Sequence, residues 1–154
     1  MQKLDIRLIF AVLTGEVTKA LNRLLQQRLA EAGFGITPEQ WIVLTALSEQ
    51  SGRKQQALCE ATFRDKPAMS RLLDDMERMR LVVRRAADTD RRAKFIYLTA
   101  RGRETKERVQ RVMLRALKEA LSGLGIDDIR ISQYVMRRVF ENVTGRVFPP
   151  EHPF

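Results

Sequence analysis

Cysteine, histidine and aromatic residues are scarce in this sequence, and each shortage excludes a class of function. Cys59 is the one cysteine and His152 the one histidine, so we expect neither an internal disulfide nor a cysteine–histidine metal cluster. Aromatic residues make up 6% of the chain and are too dispersed for a membrane-surface helix, which pairs a basic face with exposed aromatic side chains. No apolar run is long enough to cross a bilayer.

Signals for export and for several enzyme classes are also missing. The first five residues do not resemble a signal peptide, which favours a cytoplasmic protein. The chain has no phosphate-binding loop and no dinucleotide fingerprint. Its adjacent acidic pairs, Asp74–Asp75 and Asp127–Asp128, lie in predicted helices, where neighbouring side chains do not face each other. We therefore expect a protein that is not an enzyme and that holds no cofactor.

Positive charge is abundant and unevenly placed. The chain has 28 Lys and Arg against 19 Asp and Glu, a net charge of +9. The first 52 residues are neutral in sum, whereas residues 53–94 hold twelve basic and seven acidic side chains. Such an excess indicates an anionic partner, and the middle of the chain is where we expect it to bind.

The first half of the chain shows helical spacing of apolar residues and clear helix boundaries. A helix is predicted over 4–30, and Thr37, Pro38 and Gln40 form a capping box that begins the next helix. A short helix over about 55–62, a tight connection and an amphipathic helix over 67–80 follow. Two short helices joined by a few residues are typical of a helix-turn-helix.

The spacing of apolar residues then changes from a helical period to the two-residue period of a strand. Segments 81–85 and 94–98 are predicted strands, and the polar, basic segment between them predicts a hairpin or wing. Thr99 caps a long helix to about residue 122, and Asp127 is expected to cap a last helix to about 144. The predicted fold class is mainly α with a small β-hairpin wing. A winged helix-turn-helix occupies about 37–98 of a single domain over 1–154.

The terminal helices, about 4–30 and 100–144, each carry a long apolar stripe. The small winged core cannot cover both stripes. An intramolecular helical bundle is one solution, but we favour a homodimer that buries the stripes between two copies.

The order of these parts resembles the multiple-antibiotic-resistance regulator (MarR) family over nearly the whole chain. The second helix of that family is similar to 36–44, ITPEQWIVL. Its helix-turn-helix is similar to LCEA (58–61) and DKPAMSRLLDDME (65–77). Its wing and the start of its fifth helix are similar to LVVRR (81–85), DTDRRAK (88–94) and LTARGRE (98–104). Two positions depart from the family pattern: Arg80 stands where glycine is usual, and Lys54 where serine or threonine usually caps the third helix.

The resemblance implies a helix that enters the major groove of DNA by its N-terminal end. Lys66, Ala68, Ser70 and Arg71 are the predicted contacts there, although Arg71 could instead pair with Asp74 or Asp75. In the wing, Asp90 and Arg92 match an Asp-x-Arg motif whose arginine enters the minor groove. The remaining predicted wing contacts, mainly to phosphates, are Arg84, Arg85, Arg91 and Lys94; a solvated charged hairpin is the alternative.

Two further expectations complete the hypothesis. Cys59 is interpreted as a small packed residue rather than a redox sensor. The chain is expected to bind a pseudo-palindromic double-stranded DNA site as a transcription regulator, a repressor relieved by a small aromatic or phenolic effector. The alternative is a basic helical module that binds RNA or coats DNA without sequence specificity.

Overall fold

The computed structural model of the chain describes residues 5–50, 52–86 and 94–148. Within them the fold is mainly helical with one small antiparallel sheet of strand order β1-β3-β2, which confirms the predicted fold class. The elements are α1 (Ile6–Glu31), α2 (Pro38–Glu49), β1 (Arg53–Lys54), α3 (Gln55–Thr62), α4 (Lys66–Arg78), β2 (Val82–Ala86), β3 (Lys94–Leu98), α5 (Ala100–Ala120) and α6 (Ile126–Thr144).

Polar caps set where the helices begin. The predicted capping box of α2 is confirmed: the Gln40 N–H donates to the Thr37 hydroxyl at 3.2 Å, and the Thr37 N–H donates to the Gln40 side chain at 3.0 Å. Asp65 accepts the Ala68 N–H at 2.7 Å, so α4 begins at Lys66, one residue before the predicted start. Such caps satisfy amides that have no partner inside the helix.

The expectation that Asp127 caps the last helix is wrong. Gly125 is the N-cap residue of α6, and its N–H donates to the Asp128 carboxylate at 2.9 Å. The third residue of the helix therefore reaches back to the cap, as in the second half of a capping box. Asp127 lies in the first turn, where a negative charge stabilises the helix dipole.

The hydrophobic core lies where the helix-turn-helix meets α2 and the middle of α5. It includes Trp41, as expected, and extends to the C-terminal end of α1. Of the inward residues predicted for α4, Met69, Leu73 and Met76 are fully buried, whereas Leu72 and Met79 pack partly buried against the core. Arg28 of α1 adds a link to α5, since its guanidinium donates to Glu119 at 2.7 and 3.1 Å.

Arg80 makes the turn for which the resemblance predicts glycine. Its φ is +59°, in the left-handed region. The Arg80 N–H donates to the Glu77 carbonyl and the Leu81 N–H to the Met76 carbonyl, both at 2.9 Å. These two bonds are the Schellman pattern that ends many helices. The left-handed turn for which a glycine would be suited is therefore present, with an arginine in a conformation that costs an L-residue about 1–2 kcal/mol.

The chain then crosses from β3 into α5 against the same turn. The Thr99 N–H donates to the Leu81 carbonyl at 3.1 Å, and the Thr99 hydroxyl lies 2.7 Å from the Arg80 carbonyl. That hydroxyl also accepts the Gly102 N–H at 2.9 Å and so caps α5, as predicted. A methyl group added at Gly102 would overlap the Leu81 carbonyl.

The C-terminal segment returns to the helix-turn-helix through three phenylalanine rings. Phe63, at the C-terminal end of α3, has its ring 4.8 Å from that of Phe140 in α6 and 5.1 Å from that of Phe148. The rings of Phe140 and Phe148 are 5.4 Å apart. Phe63 also has a left-handed φ of +54°. We call these three residues the aromatic cluster; it joins the middle of the chain to its C-terminal part, a contact that the sequence pattern did not predict.

Two helix faces are apolar and uncovered. In the first half of α1 and along α6 many large apolar side chains are exposed, and of the described α6 residues none is buried. Examples are Leu13 at 59%, Ile131 at 63% and Val143 at 79% exposure. Exposed apolar patches of this extent mark an interaction surface.

Replacing Arg80 with glycine is expected to raise the free energy of unfolding by about 0.5–1 kcal/mol, because the left-handed strain is removed at some cost in chain entropy. Urea denaturation measures the change. Phe63→Gly is the matched control at the second left-handed position. It should lower stability, because it removes a ring of the aromatic cluster. An Arg80→Gly variant less stable than the parent would contradict this account of the turn.

The uncovered faces predict self-association. Leu13→Glu places a charge in the exposed apolar half of α1 and should shift the chain from dimer to monomer in light scattering at micromolar concentration. Gln26→Glu, an equal charge change at an exposed polar position of the same helix, should leave the mass unchanged. A parent chain that is monomeric under these conditions would refute the prediction.

Candidate nucleic-acid interface

Helix α4 presents a polar surface opposite its buried one. Lys66 and Arg71 are exposed, and Ala68 and Ser70 are partly exposed. Among the ion pairs of the described residues none involves Arg71: Asp75 pairs with Arg78, and Asp74 with Arg84. The alternative in which Arg71 pairs with Asp74 or Asp75 is therefore not what the structure has. Both cations of this surface point into solvent near the start of the helix.

Strand alternation divides the basic residues of the hairpin between two faces of the sheet. Successive side chains of a strand point to opposite faces, and directly paired residues share a face. Arg84 pairs with buried Ile96, and Ala86 with Lys94, so these four lie on the face toward α4, here the inner face. Arg85 pairs with Phe95 on the other, outer face.

The inner face and α4 border one groove of about 570 Å³, here the α4–sheet groove. It brings together three of the predicted site residues from separate elements: Ser70 of α4, Arg84 of β2 and Lys94 of β3. The remaining lining residues are Gln55, Asp74, Glu77 and Ala86. A helix and a hairpin on two sides of one groove can contact neighbouring parts of a single elongated ligand.

Arg84 differs from the other predicted cations because it is satisfied within the protein. Its guanidinium donates to Asp74 at 2.7 Å and to Glu77 at 2.5 Å, and the side chain is 18% exposed. Burial disfavours the charged form, but the two carboxylates outweigh that effect and raise the pKa of Arg84 above its usual value.

The outer face carries a second set of cations on aromatic rings. The Arg85 guanidinium lies 5.6 Å from the ring centre of Tyr97, and the Lys54 ammonium 5.6 Å from that of Phe95. Lys54 and Arg85 both lie opposite Phe95, on strands β1 and β2. Sequence reasoning missed Lys54 as a site candidate, since a two-residue strand has no detectable period. Its side chain does not cap α3.

The remaining wing candidates, Asp90, Arg91 and Arg92, lie outside the described residues. Their assignment therefore stays a prediction from sequence. The described ends of the hairpin, Ala86 and Lys94, are exposed.

A cavity of about 420 Å³ lies on another side of the domain, between the α1–α2 loop, the end of α4 and the start of α5. Its apolar side is formed by Phe34, Ile36, Met79 and Leu81, and its charged side by Arg101, Glu104 and Arg108. The Arg108 guanidinium lies 5.2 Å from the Phe34 ring centre. The described residues contain no group of three potential metal ligands, and no described helix has the length and hydropathy of a membrane span.

Cys59 lies buried in α3 and belongs to the core, which agrees with its interpretation as a packing residue. Burial raises the pKa of the thiol, and the carboxylate of Asp65 raises it further. A raised thiol pKa lowers the thiolate fraction at neutral pH, and with it the reactivity.

Comparisons with known proteins agree with this geometry. Residues 34–93 match the model of the MarR family. Transcriptional regulator HosA of Escherichia coli O111:H- is 34% identical over 85 residues, which are 53% of this chain and 63% of that protein. The chain thus spans less than two thirds of the length of this curated relative.

Solved structures match over most of the chain. AbsC, a MarR family transcriptional regulator from Streptomyces coelicolor, superposes with a TM-score of 0.80 at 25% identity, covering 95% of this chain and 100% of that one. A mutant MarR from E. coli complexed with operator DNA superposes with a TM-score of 0.79 at 22% identity, covering 88% and 99%. The latter likeness concerns the fold alone.

The environment of Cys59 predicts slow chemistry. In the native protein at neutral pH, alkylation by iodoacetamide should be roughly tenfold or more slower than in urea, because the buried thiol has a raised pKa and little thiolate. Mass spectrometry of quenched samples measures the rate. Correspondingly, Cys59→Ser should leave the response of the protein to peroxide unchanged. Native alkylation as fast as that of the unfolded chain would contradict the packing role.

Proposed function

We propose that this chain, whose winged helix-turn-helix belongs to the MarR family, is a homodimeric transcription regulator that binds a pseudo-palindromic site in double-stranded DNA. The observation that carries the proposal is the solvent-exposed face of α4, which holds Lys66 and Arg71 beside the α4–sheet groove. A recognition helix needs such a face, packed from behind by the core and open in front.

In this proposal the start of α4 lies in the major groove. Ser70 and Arg71 contact base edges there, because hydroxyl and guanidinium groups match the donor and acceptor patterns that the major groove presents. Lys66 contacts a phosphate, and Ala68 packs against a thymine methyl group. The buried Met69, Leu73 and Met76 on the opposite side hold the helix in place.

The hairpin contacts the flanking DNA. Lys94 borders the α4–sheet groove, and in this proposal it neutralises a phosphate beside the site of α4. Arg85 and Lys54 offer further cations from the outer face. By the resemblance, Arg92 enters the minor groove with Arg91 near it, and Asp90 maintains the shape of the wing.

We further propose that the protein is a cytoplasmic repressor that a small aromatic acid or phenol releases from DNA. The cavity between the α1–α2 loop and α5 supports this, since Arg101 and Arg108 could pair with an acidic group while Phe34 and Ile36 contact a ring. It also adjoins Leu81, at the turn between α4 and the hairpin. A ligand bound there would contact the turn that connects the recognition helix to the hairpin and to α5.

Selection of bound sequences from a random duplex pool tests the proposal directly. A two-fold dimer should select two inverted half-sites about 10 base pairs apart, centre to centre, because both recognition helices face one side of the duplex. Recovery of no common sequence, or equal affinity for scrambled duplex and RNA, would favour the non-specific nucleic-acid module instead.

Two substitutions separate base reading from phosphate contact. Arg71→Ala should flatten discrimination at a few positions of each half-site, with a loss of about 1–3 kcal/mol per site. Lys94→Ala should weaken binding to all DNA sequences alike. It should also reduce the slope of log affinity against log salt concentration by about 0.9 for each phosphate that is no longer neutralised. A mismatch panel titrated at several salt concentrations measures both. If Lys94→Ala erases discrimination while Arg71→Ala only weakens binding, the assigned roles are reversed.

A further inference from the structure

Arg84 is the predicted phosphate contact that the structure places elsewhere. Strand alternation turns its side chain toward α4, while that of its neighbour Arg85 points to the outer face. Its side chain is 18% exposed. Arg85 is exposed, and among the described residues no ion pair involves it. The two adjacent arginines thus have different surroundings: Arg84 is mostly buried and ion-paired, and Arg85 is exposed.

Three hydrogen bonds join Arg84 to the second half of α4. Its guanidinium donates to Asp74 at 2.7 Å and to Glu77 at 2.5 Å. Its main-chain N–H donates to the second carboxylate oxygen of Glu77 at 3.1 Å. Because a guanidinium is planar and its donors have fixed directions, this arrangement sets both the distance and the angle between β2 and α4.

The charge of Arg84 is also needed where it lies. Asp74 and Glu77 line the α4–sheet groove together with Ser70 and Lys94, which are proposed DNA contacts. Without the guanidinium, two carboxylates would face a polyanion at the boundary between helix and hairpin, and like charges there oppose association. With it, one positive charge is shared between the two carboxylates and is not available to a phosphate.

We infer that Arg84 is a positioning residue: by bonding Asp74 and Glu77 it holds the hairpin at the angle to α4 at which helix and hairpin reach adjacent DNA grooves together. The expected effect on DNA binding rests on the proposed function. The structural part of the inference, the joint between β2 and α4, exists without DNA. Arg84 therefore acts on binding through the orientation of the hairpin, whereas Arg85 and Lys94 act through their own charge.

Footprinting and salt titration on the selected operator test the inference. Arg84→Gln should weaken binding roughly tenfold, lower the salt slope by less than the about 0.9 of a lost phosphate contact, and remove hydroxyl-radical protection of the minor groove beside the α4 site. Asp74→Asn removes the negative charge from one of the two acceptors of Arg84, at an exposed position, and should weaken binding in the same way. Arg85→Gln is the matched control, expected to lower the salt slope and leave the protection pattern intact.

Opposite results overturn the inference. If Arg84→Gln lowers the salt slope by about 0.9 with minor-groove protection retained, Arg84 contacts a phosphate directly. If Asp74→Asn tightens binding and steepens the slope, the carboxylate merely holds Arg84 away from DNA. These outcomes differ from failure of the proposed function, in which the wild-type protein itself selects no operator.

Hydrogen exchange without DNA tests the joint independently. Amides of β2 should exchange faster in Arg84→Gln than in the wild type, and at the wild-type rate in Arg85→Gln. Equal protection in both variants would show that the ion pairs do not hold the hairpin, and the inference would fail even if an operator had been selected.

Discussion

The turn formed by Arg80 and Leu81 is the point on which the rest of the structure depends. Their carbonyls bond Thr99, and Thr99 in turn caps α5. One hydroxyl group thereby ties the exit of α4, the base of the hairpin and the start of α5 to each other. The absence of a side chain at Gly102 allows the close approach. Because α4 bears the proposed reading surface and α5 leads to the proposed dimer helices, their relative position is set at this junction.

The basic side chains of the described residues 53–86 and Lys94 do not form a single binding surface. Arg78 pairs with Asp75, and Arg84 with Asp74 and Glu77, so two of the cations serve α4 and its joint with β2. Lys66, Arg71, Arg85 and Lys94 stay exposed. Net charge is thus a guide to the class of partner, while burial and pairing decide which cations can meet it. This division is why a positioning role and a contact role can fall on adjacent residues.

The long terminal helices extend beyond what the core of one chain can bury. α1 contributes buried residues to the core only toward its C-terminal end, and α6 reaches the helix-turn-helix mainly through the aromatic cluster. A second copy that covered the exposed faces would brace α6 against Phe63. The dimer interface and the winged helix-turn-helix would then be connected at two places, the contacts of Thr99 with Arg80 and Leu81 and the aromatic cluster.

Local signals in the sequence determined most helix and strand boundaries to within a residue or two, although Gly125 and not the predicted Asp127 caps α6. Thr37 with Gln40, and Thr99 with Gly102, act within four residues, so each cap can be recognised from neighbouring residues alone. The segments 81–85 and 94–98 and the exposed start of α4 follow in the same way from period and polarity. Only the tertiary structure decided which face of the sheet Arg84 and Arg85 lie on, the formation of the two-residue strand β1, and the contact of Phe63 with Phe140. These features depend on the pairing of Arg84 with Ile96 and on contacts between distant parts of the chain. A local sequence pattern does not reveal such contacts, because strand register and helix packing are set by the whole core.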